Sequence, residues 1–410
     1  MLANGVSRSE LAVLDVIRVQ GQITRSELSA TVGLGTAMTA RVVQRLQAFG
    51  LVREAGRSLS PRPGRPTVLL ELHPDDARVV AVDIGTETVN LMLVDVHGTN
   101  YSYLEVSSSV FDGLTQDQIV ACLAALIGDF ARDAGTPLTA IGATGVALTG
   151  IIDTARGISV IRSNTPGWER FDLRDRLGHT LKMPVILDET SRAKAVAEMR
   201  LGNGRGASNF LFVDVGTAIG AGIVINGKPY LGEGGLAGEL GHITVDPNGP
   251  LCRCGNRGCI QASSSARALV ERARELLRGG VYSSLATVAE TLNLHDIASA
   301  ANAGDKLALG LLTEAGERLG EAISMALNLL GMEMVILGGS LVQDSPVVLE
   351  AASRIVRLRV LPVVGKDRTL LRSDLGREAG ALGIGLEAVD WLFDSPVERI
   401  LQRDNRRYSN

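Results

Sequence analysis

A chain of 410 residues is long enough for two or three domains, and its 45% apolar content is ample for real cores. The net charge of −4 gives no global basic field, so any nucleic-acid contact is expected in one locally basic domain. An aromatic content of 3% argues against a surface built to stack bases. No opening segment resembles a signal peptide and no apolar run reaches about 18 residues, so the expected setting is the cytoplasm, with no membrane partner.

The first region, residues 1–76, opens with helices. Leu11, Leu14, Val16 and Ile17 predict one apolar helix face. Thr24-Arg-Ser-Glu27 reads as a capping box leading into Leu28 and Val32, and Gly33 ends that helix. After Leu34-Gly35 a third helix begins near Thr36, turns Val42, Val43 and Leu46 inward, and closes at Gly50. Leu51–Arg53 and Leu69–Leu72 predict the two strands of a wing, completing a winged helix-turn-helix. The third helix presents Thr36, Ala37, Ala40, Arg41, Gln44 and Arg45 away from its core face. Arginine and glutamine are the side chains that read guanine and adenine edges. Between the wing strands the prolines of Ser58–Pro66 hold the chain extended, and Arg62 and Arg65 suit a narrow, electronegative minor groove. A double-stranded DNA operator is the expected partner.

Residues 77–184 open with two apolar runs, Val79–Asp83 and Val89–Asp95, around a Gly85-Thr86 turn. A helix over Gln118–Ala134 and a strand over Ala140–Leu148 follow. Residues 185–395 begin with a strand, Val185–Leu187, and a helix, Ser191–Arg200. They then repeat the opening pattern as Phe210–Ile225, ending in an Asn-Gly turn. This echo predicts two related α/β lobes with a cleft between them. Residues 396–410 form a polar tail.

Glu239 to Cys259 reads E-L-G-H-I-T-V-D-P-N-G-P-L-C-R-C-G-N-R-G-C. His242, Cys252, Cys254 and Cys259 offer one imidazole and three thiols, the donor set of a closed, structural Zn²⁺ site with no open position for catalysis. The competing reading is a disulfide knuckle. Such bridges are rare in reducing compartments, and only Cys122 lies outside the cluster.

The spacing His-x9-Cys-x-Cys-x4-Cys resembles the zinc loop of the ROK family of repressors, uncharacterised frames and sugar kinases, and the resemblance runs from about Leu11 to Leu386. It implies an actin/hexokinase-like, ribonuclease H-like body behind the winged helix. Glu239 and His242 match the family's E-x-G-H, whose glutamate accepts hydrogen bonds from sugar hydroxyls. Asn164 matches an asparagine on the other lip, and Gln261 stands where the family has a glutamate. The Gly216-Thr217-Ala-Ile-Gly220-Ala-Gly222 loop and the Gly338-Gly339 turn resemble the family's nucleotide loops, whereas Asp83-Ile-Gly85-Thr86-Glu87-Thr88 has lost the second glycine and lysine of the first phosphate loop. The family's Asn-Asp pair carries the general base. Counting back from Glu198, the asparagine falls on Glu189 and the aspartate on Thr190, whose hydroxyl is no base near neutral pH. A shift of register by one or two residues would instead offer Glu189 or Asp188.

These residues together predict a sugar-responsive DNA-binding regulator, a repressor in sign, with no catalytic residue. Its effector is a sugar or sugar phosphate held by Asn164, Glu189, Glu239, His242 and Gln261. Gly216, Thr217, Gly220, Gly338 and Gly339 form a vestigial nucleotide face, and the assembly is a homodimer or dimer of dimers. The alternative is an active ATP-dependent sugar kinase carrying a DNA-binding domain.

Overall fold

The computed structural model describes residues 7–48, 51–57, 67–73, 78–95, 100–162, 167–361 and 369–394. Arg62, Arg65, Asn164, Gly50 and the 396–410 tail lie outside them.

The N-terminal elements are α1 (Arg8–Gln20), β1 (Ile23–Thr24), α2 (Arg25–Val32), α3 (Thr36–Ala48), β2 (Val52–Arg57) and β3 (Val68–Leu72). Both α1 and α2 begin with capping boxes, Ser7 with Glu10 and Thr24 with Glu27, each satisfying two otherwise orphaned N–H groups. Gly33 leaves α2 in the left-handed conformation, φ 72°, and a three-residue turn leads into α3. The core of this region is Val13, Leu14, Ile17, Leu28, Val42, Val43 and Leu46. Val16, expected inside, is only half-buried, and Val13 takes its place, because the face meeting α2 and α3 is rotated by one position. The wing strands β2 and β3 pair antiparallel as expected. The two residues of β1 add a third strand on β3, too short for any periodicity to announce.

The next elements are β4 (Arg78–Ile84), β5 (Thr88–Val94), β6 (Asn100–Ser107), α4 (Gln116–Asp133), β7 (Ile141–Leu148), the small hairpin β8 (Ile151–Asp153) and β9 (Ile158–Ile161), α5 (Leu173–Leu181), β10 (Val185–Glu189) and α6 (Thr190–Leu201). Then come β11 (Phe210–Val215), β12 (Ile219–Ile225), β13 (Lys228–Pro229), α7 (Ile260–Ser264), α8 (Ala266–Arg278), α9 (Leu294–Asn302), α10 (Lys306–Leu330), β14 (Met334–Gly338), α11 (Ser340–Asp344), α12 (Pro346–Arg359), β15 (Thr369–Arg372) and α13 (Ala379–Asp394). The two main sheets run β10-β7-β4-β5-β6 and β13-β12-β11-β14-β15. Numbered within each sheet by chain order, both have the order 3-2-1-4-5. The echo seen in the sequence is therefore a repeated sheet topology. The strand at Val185 belongs to the first sheet, not to the start of the second half.

Two compact units result, and neither is a single stretch of chain. One comprises residues 1–147, 171–187 and 384–410; the other comprises 148–170 and 188–383. The N-terminal elements α1 to β3 thus fall in the unit of the first sheet, and so does most of α13. Gly385 explains the return of that last helix, since a Cβ there would sit 3.0 Å from Val94 and 3.1 Å from Ala81 of the sheet beneath. In the second unit α6 lies against β12 in the same way. A Cβ on Gly222 would come within 2.4 Å of Ala195 Cβ and 2.7 Å of the Ser191 carbonyl. Overpacking of this kind costs about 1–3 kcal/mol. Gly222→Ala is therefore expected to lower the unfolding free energy by that amount, measured in urea with an unchanged m-value.

Among the described residues no helix is long and apolar enough to cross a membrane.

Candidate functional site

The chemistry-bearing residues of the second unit gather around the start of α6 and the segment from Gly235 to Gln261. His242, Cys252, Cys254 and Cys259 converge, their ligand atoms all within 4.8 Å of one another. The backbone accounts for this. Gly255 donates to the Cys252 carbonyl and Cys252 to that of Asn256, closing a tight turn that needs Gly255 at φ 94°. Gly258, at φ 74°, donates to Pro250 and accepts from Val245. A Cβ on it would lie 1.6 Å from the Asp246 carbonyl, so only glycine fits.

The distances suit a tetrahedral metal ion. Cys252 Sγ lies 3.7 Å from His242 Nδ1, and Cys254 Sγ lies 3.6 Å from Cys259 Sγ. A zinc–sulfur bond of about 2.3 Å gives a tetrahedron edge of about 3.8 Å. All four cysteines are free thiols, and these separations are those of ligands sharing a cation, not of a disulfide. Burial pushes the Cys259 thiol up to about 12, with the two neighbouring thiols adding to the rise. Burial also raises Cys252. Cys254 ends below the ordinary thiol range, because the Asn256 N–H and its sulfur neighbours outweigh its own desolvation.

His242 faces two ways. Nδ1 points at Cys252, while Nε2 is 3.7 Å from Glu239 Oε2. One ring nitrogen can hold a metal while the other fixes a carboxylate, an arrangement that orients both. Burial raises the Glu239 carboxyl above its usual range, against the opposing pull of His242 and Arg192.

Glu189 sits elsewhere than a ligand-facing reading predicts. It is the N-cap of α6. Oε2 accepts from the Ser191 and Arg192 main-chain N–H groups at 2.8 and 3.0 Å, and Oε1 accepts from Ser191 Oγ at 3.1 Å. Burial pushes its carboxyl up to about 7, although Arg192 and the two N–H donors pull it down. Asp188 is buried and bound to Arg192, whose Nε donates to Asp188 Oδ1 at 2.7 Å while Nη2 stands 2.5 Å from the same oxygen as an ion pair. Thr190 is buried as the first residue of the helix. Gln261 has its carbonyl oxygen tied to the Ile219 N–H at 3.0 Å, which fixes the amide and leaves its hydrogens to meet a ligand.

Arg192 is the residue that sequence reasoning missed. It is 2% exposed, and its Nη1 donates to the Gly235 carbonyl at 2.8 Å, binding α6 to the loop that leads to Glu239. Its four-residue spacing from Asp188 was visible in the sequence, but the partner at Gly235 was not.

Three of the nucleotide-like glycines are also required by the protein's own packing. Gly216 donates to the Ala218 carbonyl and accepts from Ala266. A Cβ on Gly220 would lie 2.3 Å from Ser191 Oγ, on Gly338 2.7 Å from the Phe212 ring, and on Gly339 2.5 Å from the Val215 carbonyl. Thr217 lies in the turn between β11 and β12. Beside it Lys194 forms a 2.7 Å ion pair with Asp214. In the first sheet Gly85 donates to Thr88 across a closed hairpin turn.

In the N-terminal region, Thr36, Ala37, Ala40, Arg41, Gln44 and Arg45 are all exposed along α3. Arg45 also pairs with Glu10 of α1, Nε to Oε1 at 3.1 Å.

The ROK family model matches residues 79–388. The xylose repressor of Bacillus subtilis (strain 168) is 30% identical over 386 residues, covering 93% of this chain and 95% of that protein. A crystal structure of a ROK family transcriptional regulator, a homologue of the E. coli MLC protein, aligns with a TM-score of 0.82 at 26% identity over 96% of this chain and 97% of that one. A ROK glucokinase from Streptomyces griseus, solved with glucose and AMPPNP, aligns at 0.65 and 26% identity over 75% of this chain and 98% of its own. The kinase alignment leaves about a quarter of this chain unmatched, whereas the regulator spans nearly all of it. With the repeated sheet topology, the four-ligand loop and a match over most of its length, this chain belongs to the ROK family.

Proposed function

We propose that this chain is a sugar-responsive transcriptional repressor whose kinase-like body senses its ligand without phosphorylating it. The observation that carries the reading is the state of the site in a chain that also displays a recognition helix. Glu239 and His242 stand 3.7 Å apart as a pair able to hold vicinal hydroxyls, yet the base position is Thr190, and both neighbouring carboxyls are committed to the protein itself. The named relatives support the sign, since the xylose repressor aligns over 95% of its own length and 93% of this chain.

In this reading the effector is a sugar or sugar phosphate, held by Glu239, His242 and the amide of Gln261, with Asn164 as a further candidate. The ion held by His242 and the three cysteines is zinc. It supplies no catalysis but fixes the His242 ring, and through it Glu239. The protein acts as a symmetric homo-oligomer whose paired α3 helices span two half-sites, with Arg62 and Arg65 reaching the minor groove. A ligand changes operator affinity only as far as it binds the two states differently, about 1.4 kcal/mol for each tenfold.

Operator fragments recovered from genomic DNA, titrated with the full chain in the presence of xylose, glucose and other sugars, test this. At least one sugar should weaken operator binding tenfold or more, and ATP consumption with that sugar should stay at background. Unchanged operator affinity with every sugar would sink the sensor, and ATP turnover by the wild-type chain would sink the non-catalytic body. The kinase alternative would draw on Glu189, which stands beside Thr190 and whose carboxyl burial pushes up to about 7, toward the range of a general base, although both its oxygens cap α6. If it serves as one, Glu189→Gln abolishes the turnover that the same assay detects.

A further inference from the structure

We propose that α3 reads each operator half-site through a single guanine contact from Arg41, framed by thymine methyl groups against Ala37 and Ala40, and that Arg45 is a positioning residue that touches no base. This rests on the DNA-binding reading above and specifies its ligand.

The buried face of α3 is Thr39, Val42, Val43 and Leu46. At 100° per residue the direction opposite that face falls on Ala37, Arg41, Gln44 and Ala48, flanked equally by Ala40 on one side and Arg45 on the other. The most outward part of the helix is therefore not a row of cations. It is two methyl groups, one guanidinium and one carboxamide, all exposed.

Arg45 is withheld by its partner. Glu10 is 2% exposed, and its carboxylate also accepts from the Ser7 N–H at 2.5 Å in the α1 capping box. Pulling Arg45 onto a base would leave that buried charge uncompensated, a costly change. The pair instead ties α3 to the first turn of α1 and sets the angle at which α3 is offered. Of the two arginines on α3, that leaves Arg41 for bidentate contact with a guanine.

Ala37 and Ala40 can neither donate nor accept. The group on a major-groove edge that complements a methyl is the thymine C5-methyl. Small side chains at these positions also let the helix axis come close to the base edges. From Ala37 to Gln44 the helix rises about 10 Å, roughly three base-pair steps. The half-site core is thus about four base pairs, with one G·C pair, thymines toward the N-terminal end of α3, and an adenine within reach of Gln44.

The test uses the full-length protein and a random double-stranded library, with bound sequences read out after selection. Wild type should select one guanine flanked by thymine. Replacing those thymines by deoxyuridine, which removes only the methyl, should weaken binding about fourfold each, as expected for one buried methyl-sized group. Arg41→Ala should lose the guanine preference, a change of roughly 5- to 150-fold. Arg45→Ala should weaken all sequences alike and lower the melting temperature, without altering the selected bases; Arg45→Lys, which keeps the charge beside Glu10, should recover the stability. Binding indifferent to deoxyuridine, or a base preference that changes in Arg45→Ala, overturns the inference and leaves DNA binding standing. Retention of no duplex at all overturns both.

Discussion

Replacing Cys259 by serine is expected to remove the bound metal, abolish the effect of sugar on operator binding, and lower the melting temperature by roughly 10 °C. Cys259 is fully buried, and its Sγ stands 3.6 Å from Cys254 Sγ and 3.5 Å from the His242 carbonyl. The apolar anchors of the loop lie at its two ends, where Ile243, Val245 and Ile260 pack against the core, while Leu251 at its far side is 65% exposed. Between them it is held by hydrogen bonds such as Val245 to Gly258 and Arg257 to Gly249. A metal cross-link is then the largest single contribution to the order of the loop. Structural zinc in small domains contributes about 10–16 kcal/mol, much of it spent here on ordering the segment. Without it the His242 ring loses the constraint on Nδ1, and the 3.7 Å approach of Nε2 to Glu239 is no longer enforced. Operator binding in the absence of sugar should change far less, because α3 and its partners belong to the other unit. Metal content by atomic spectroscopy, thermal unfolding and sugar-dependent operator binding decide the matter. Cys122→Ser, altering the thiol outside the cluster, serves as the control and should change none of the three. A metal-free Cys259→Ser protein with wild-type melting and full sugar response would remove the metal from the account.

The parts legible in the sequence were those whose physics is local. The capping box at Thr24, the left-handed glycine at Gly33, the Asn226-Gly227 hairpin and the four metal-ligand candidates are all written within a few residues, and the structure has each of them. The repeated sheet was also readable, because β4–β5 and β11–β12 are local hairpins with the same glycine-bearing turn. What failed to show depends on distant partners. Glu10 and Arg45 are 35 positions apart and Arg192 and Gly235 are 43, and no spacing rule links either pair. The Val185 strand was assigned to the wrong half because a strand followed by a helix does not say which sheet it joins. Glu189 is an intermediate case. A carboxylate directly before a helix start is a natural N-cap. That local chemistry is present in Glu189-Thr190-Ser191, at the same residue where the family resemblance implies a sugar contact.

Arg192→Ala is expected to cost about 3–5 kcal/mol of unfolding free energy, the largest effect of any single substitution near the site. The guanidinium is 2% exposed, and truncation strands the buried Asp188 carboxylate and leaves the Gly235 carbonyl without its donor. The cost lies in stranding a charge, not in losing a stabilising bridge. The double substitution Asp188→Leu with Arg192→Met should therefore recover most of the stability, since apolar pairs of similar volume commonly match buried ion pairs. Recovery of sugar binding is not expected in that double variant. Arg192 is the cation that holds the Glu189 and Glu239 carboxyls down against their burial, and it secures the loop before Glu239. Without it Glu189, already near 7, moves further up. Glu239 becomes a poorer charged acceptor for hydroxyls, and the segment carrying it is no longer pinned to α6. Urea unfolding and sugar titration by calorimetry on the two variants separate these roles. If Arg192→Ala unfolds like wild type, the buried pair is not the constraint described. If the double variant binds sugar as tightly as wild type, Arg192 holds the fold together and does nothing for the ligand.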